Sequence, residues 1–83
     1  MEVYDWLDWE LEVSPHAYKR MVDRNFSETD LRTMLESPGN IRKALYEGRF
    51  VIETTYEGNE WEIVVEPDEL DQILVVVTAF IPD

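Results

Sequence analysis

His16, Arg20 and Arg24 stand four residues apart in the stretch VSPHAYKRMVDR, positions 13–24. If the stretch is helical, a step of about 100° per residue gathers the three in one row about 80° wide. His16 is the only histidine of the chain. In the first turn of a helix, the macrodipole and the free N–H groups disfavour an imidazolium and keep the ring neutral. A neutral imidazole near pH 7 is what a general base requires. Arg20 and Arg24, one and two turns further on, present guanidinium forks suited to a phosphate or a carboxylate. The same residues have a plainer use, with His16 covering the helix end and both arginines paired with Asp23, Glu28 or acids of the N-terminal segment. Sequence alone leaves both uses open.

The positive row stands out because the chain around it is acidic. Its 83 residues carry a net charge of −12, yet every lysine and arginine lies between Lys19 and Arg49. Residues 1–15 hold five acids and no base, and residues 50–83 hold nine acids and no base. Phosphate affinity scales with the number of cationic contacts, so this distribution disfavours RNA and anionic membranes as broad partners and leaves room for a local anion site. The length suits a single domain over 1–83, and a hydrophobic content of 45% argues against global disorder. Cysteine is absent, which removes disulfides, thiolate metal sites and thiol catalysis and fits a cytoplasmic protein. The acidic opening MEVYDWLDWE does not read as a signal peptide. The run ILVVVTAFI at 73–81 is far short of the ~20 residues a membrane span needs.

Several elements must carry these side chains. In WLDWELEV, Leu7, Trp9, Leu11 and Val13 alternate with acids, the period of a half-buried strand; Tyr4 and Trp6 blur the pattern, so 1–13 could also be helical. Ser14-Pro15 reads as an N-cap and a first-turn proline, opening a helix that runs to Asn25, a candidate left-handed cap. Its apolar stripe is Ala17, Tyr18, Met21 and Val22, and Ala17, Met21 and Val22 are expected to pack on a sheet. SETD at 27–30 is a capping-box variant that opens a second helix with Leu31, Met34 and Leu35 on one face, and SPGN at 37–40 ends it. IRKALYEG fits a helical turn or an extended arm, leaving 41–47 ambiguous. RFVIETTY and EWEIVVE flank the glycine turn EGN as a hairpin, and QILVVVTAFI, apolar on both faces, is expected to be the best-buried strand. The expected fold is α+β, with two short helices on one face of a curved three- to four-stranded antiparallel sheet.

In this order, SPHAYKRMVDRNFSETDLRTML, GRFVIETTYEGNEWEIVVEPD and LVVVTAF resemble small bacterial domains of unknown function with a His-Ala, Arg-Met and Arg pattern on helix one. Those domains are similar in turn to the RelE-like, BrnT-like and colicin-D-like ribonuclease toxins. That likeness implies a RelE-like two-layer fold and RNA cleavage by internal attack of a ribose 2′-hydroxyl, without metal or cofactor. It implies catalytic roles for His16, Arg20, Arg49 and Thr78 and an antitoxin or other protein as partner; Arg24 is an anion-binding candidate through its position in the row alone.

Each of these residues also has a structural use. Arg49 is the last base of the chain and could be held by one of the nine acids that follow it. Thr78 interrupts a valine run and fits a sheet without further purpose. The acids of EPDELD lack the glycine and oxygen spacing of a calcium loop and read as a solvated turn. One histidine cannot build a zinc site unaided. Trp61 could stack a base, although its alternation makes it a core residue first. A non-catalytic interaction domain, using acidic sheet edges or the basic middle, therefore stands beside the ribonuclease. A small sheet with open edges further implies a homodimer or heterodimer that covers a face or an edge.

Overall fold

The computed structural model describes residues 4–82. A 3-10 turn at Asp5–Asp8 leads into β1 (Glu10–Val13), and α1 (Pro15–Arg24) and α2 (Glu28–Glu36) follow. The chain then adds β2 (Asn40–Lys43), β3 (Phe50–Tyr56), β4 (Asn59–Asp68) and β5 (Ile73–Phe80). The α+β class holds, but the sheet has five strands in the order β1-β5-β4-β3-β2 and is mixed, because β1 runs parallel to β5. The expected three to four antiparallel strands fall one or two short, and the parallel pairing of β1 was not expected. β1 is recruited because Leu11 and Val13, level with Leu74 and Val76, extend the apolar face that the helices cover. β2 is the extended form of the ambiguous arm, with Ile41 opposite Ile52. Of segment 1–13, residues 1–3 lie outside the described residues; the rest divides into the 3-10 turn and β1.

Local chemistry explains where each helix starts and stops. The Ser14 Oγ accepts the Ala17 N–H at 3.0 Å and donates to the Val77 carbonyl at 2.8 Å, so one side chain caps α1 and ties it to β5. Asn25 ends α1 with a φ of 57°, in the left-handed region that asparagine tolerates. Ser27 and Asp30 exchange hydrogen bonds in a capping box at the start of α2. At its far end, the buried Thr54 hydroxyl lies 3.2 Å from the Met34 carbonyl and 3.1 Å from that of Ser37, where it donates to acceptors the helix leaves open. The β3–β4 hairpin turns on Glu57 and Gly58, both with positive φ, as a primed two-residue turn requires.

The core lies between the helices and one face of the sheet. Ala17 and Met21 from α1 and Leu31, Met34 and Leu35 from α2 meet Ile52, Ile63, Val65, Leu74, Val76 and Ala79. Tyr4, Trp6 and Phe50 form an aromatic cluster beside it. Val22 departs from expectation: it is 64% exposed and its neighbour on the wheel, Tyr18, is 62% exposed, so α1 packs through Ala17 and Met21 alone. The other face of the sheet carries no helix. On β5, Leu74, Val76 and Ala79 are therefore buried, whereas Ile73, Val75, Val77 and Phe80 are only half-buried. Val64 pairs with Thr78 and Val65 with Val76, which leaves Val77 as the extra residue of a β-bulge.

Candidate functional site

Helix α1 presents His16, Lys19, Arg20 and Arg24 to solvent. Among the described residues, none of these four side chains makes a hydrogen bond or an ion pair. The pairs with Asp23 and Glu28 that the spacing allowed do not form. The bases nearer the sheet behave differently. Arg42 bridges Glu53 at 3.0 Å and Glu62 at 3.1 Å, two carboxylates that face each other across β3 and β4 and would otherwise repel. Arg32 donates to the carbonyls of Leu7 and Trp9 and so fastens the N-terminal segment to α2.

Arg49 is held 2.9 Å from Glu66 and lies over the Tyr46 ring. One of the acids in the C-terminal half does engage it, at a site exposed enough that the pair contributes about 0–1 kcal/mol. Glu66 alternates with the core residue Val65, so the ion pair lies on the helix-free face of the sheet. Thr78 lies on that face too, because its partner Val64 alternates with the buried Ile63 and Val65. The structure thus brings His16, Arg20 and Arg24 together on one helix and puts Arg49 and Thr78 on the far side of the sheet. The sheet therefore stands between the two groups in this arrangement.

Arg24 has a second environment. It lines a cleft with Asn25, Phe26, Tyr56, Glu57 and Asn59 at the end of the sheet where α1 stops. The Tyr56 hydroxyl donates to Asp30 Oδ1 across this cleft, while Asp30 Oδ2 accepts from the Ser27 backbone and hydroxyl. The Tyr56 bond, followed by the Ser27 backbone bond, lowers the Asp30 pKa below the usual carboxylate range. The same carboxylate pushes the Tyr56 phenol up to about 12. Asp30 was legible as a cap and Tyr56 as one side of a strand. Their meeting depends on how α2 lies over β3, for which a single sequence carries no signal.

The remaining candidates have structural duties. Trp61 is buried and meets Phe26 edge-on at 5.0 Å between ring centroids, as a core residue would. In EPDELD, Asp68 Oδ1 accepts the backbone N–H groups of Leu70 and Asp71 and closes the β4–β5 turn. Among the described residues no helix is long and apolar enough to cross a membrane.

A family model described as "Domain of unknown function (DUF4258)" matches residues 13–81. That span begins at the last residue of β1 and includes α1, α2 and strands β2 to β5. No curated protein and no solved structure matches the chain.

Proposed function

The chain belongs to that domain family, and we propose that it acts as a non-catalytic binding module whose α1 holds an acidic segment of a protein partner. The observation that carries this reading is the unpaired state of His16, Lys19, Arg20 and Arg24 in a chain with 19 acids. Nothing in the fold uses these charges. A carboxylate brought to Arg20 and Arg24 would form charge-assisted hydrogen bonds that water now supplies. Tyr18 and Val22, exposed on the other flank of the helix, offer apolar area beside Lys19. The net charge of −12 favours a short acidic segment over RNA, whose charge continues beyond the local site into the repulsive field of the molecule.

The ribonuclease reading keeps one favourable observation: His16 and Arg20, one turn apart, are both free to meet a phosphate. The position of Arg49 and Thr78 beyond the sheet weighs against all four acting on one phosphate. A RelE-like toxin site would here have to be reduced to α1.

Fluorescence anisotropy at low salt with two labelled probes of equal charge, an Asp/Glu-rich peptide and a single-stranded RNA, separates the readings. The binding module is expected to hold the peptide, to release it as salt rises, and to lose about tenfold or more in affinity in the Arg20→Ala/Arg24→Ala double variant. RNA cleavage that disappears in His16→Ala would overturn this reading in favour of the ribonuclease. Failure to bind the peptide would overturn it outright.

A further inference from the structure

The cleft at the end of α1 has a volume of about 280 Å³ and is lined by charges of both signs. Arg24, at the end of α1, and Glu57, at the tip of the β3–β4 hairpin, both line it. Neither forms an ion pair with the other or with any other described residue. Polar atoms make up the larger part of the lining, and Phe26, Ile81 and the edge of the buried Trp61 supply an apolar patch within it. The third charge, Asp30, is already engaged by Tyr56 and Ser27. Opposite charges that share a cleft without touching suit a ligand that carries the complementary pair.

We propose that this cleft binds a zwitterionic α-amino acid with an apolar side chain. The carboxylate meets the Arg24 guanidinium, the ammonium meets Glu57, and the side chain lies on the Phe26–Trp61–Ile81 surface. A zwitterion gains charge-assisted hydrogen bonds at both ends and adds no net charge to a molecule already at −12. A simple carboxylate of the same size would leave Glu57 without a partner, and a simple amine would leave Arg24 facing an apolar group. The volume lies just below the range typical of ligand sites, about 300–1,000 Å³, and so fits a single small metabolite better than a cofactor. This goes beyond the acidic-partner reading: the two share Arg24 but no other residue.

The test is a titration followed by amide and indole NMR shifts, with L-phenylalanine, 3-phenylpropionate and phenethylamine as probes. L-phenylalanine is expected to bind tightest, with saturable shifts at Arg24, Phe26, Asn59 and the Trp61 indole. Arg24→Gln should weaken phenylalanine and phenylpropionate about tenfold and leave phenethylamine unchanged. Glu57→Gln should weaken phenylalanine and phenethylamine by a similar factor and leave phenylpropionate unchanged. Both residues are exposed, so neither variant is expected to move the melting temperature by more than a few degrees; Arg24→Lys is the fallback that retains the charge without the fork. Arg20→Ala should weaken the acidic peptide and leave phenylalanine binding unchanged, so the two proposals fail separately. Equal binding of the three probes, shifts elsewhere on the surface, or no saturable shift with phenylalanine would each overturn the amino-acid site.

Discussion

Asp30 shows how much one side chain can do. It completes the capping box of α2 with one oxygen and ties that helix to β3 through the Tyr56 hydroxyl with the other. Its depressed pKa means that ionised Asp30 stabilises the fold above its ordinary value of 3.8, and that this contribution is lost as pH falls through the lower folded value. Tyr56 has the opposite sign. Its pKa rises from 10.0 to about 12, so the protonated phenol stabilises the fold fully below pH 10, and the contribution is lost as pH climbs through 12. A plot of melting temperature against pH should therefore fall between 10 and 12 in the wild type. In Tyr56→Phe that fall should be shallower, with a lower plateau at neutral pH; parallel curves would mean that the hydrogen bond is not formed in solution.

At the scale of elements, α1 separates residues that periodicity alone groups together. Ala17, Tyr18, Met21 and Val22 form one stripe on the helical wheel, but the sheet buries only one edge of it, Ala17 and Met21. A helix on a sheet buries a narrower arc than one surrounded by other elements. Met21→Ala should consequently cost about 2–5 kcal/mol in urea denaturation, the usual loss for a large buried side chain. Val22→Ser should stay within about 0.5 kcal/mol, the range for exposed positions. A large loss at Val22 would mean that another chain covers this flank of α1 in solution. The same geometry leaves the α1 cations unpaired: they stand on a helix turned away from the acidic strands, while Arg42 and Arg49, on the sheet itself, find carboxylates across it.

For the whole molecule, charge is the dominant liability. Nineteen acids against seven bases leave −12 on a single 83-residue domain, and only three carboxylates are ion-paired among the described residues. Such self-repulsion destabilises the compact state and is screened by salt, since the Debye length shrinks from about 30 Å at 0.01 M to about 8 Å at 0.15 M. The melting temperature should accordingly rise over that range of sodium chloride. A flat response would show that counterions or a bound partner already neutralise the surface.

What could be read directly from the chain was local. Ser14-Pro15 and Asn25 bracket α1, Ser27 and Asp30 open α2, and Glu57-Gly58 turns the hairpin, because caps and tight turns are decided by neighbours within four residues. Alternation likewise identified β3 and β4 and the inward faces of Ile52, Ile63 and Val65, and the continuous apolar run identified β5. Which strands lie side by side was not local. Pairing β1 with β5 joins residues more than sixty positions apart, and nothing in a period of two names a partner. Only that packing decided that Arg49 and Thr78 face away from His16 and Arg20, since facing depends on register along β4 and on the single face that the helices cover. The cleft where Arg24, Tyr56 and Glu57 meet was decided in the same way: it joins the end of a helix to the tip of a hairpin, and only the folded chain puts the two together.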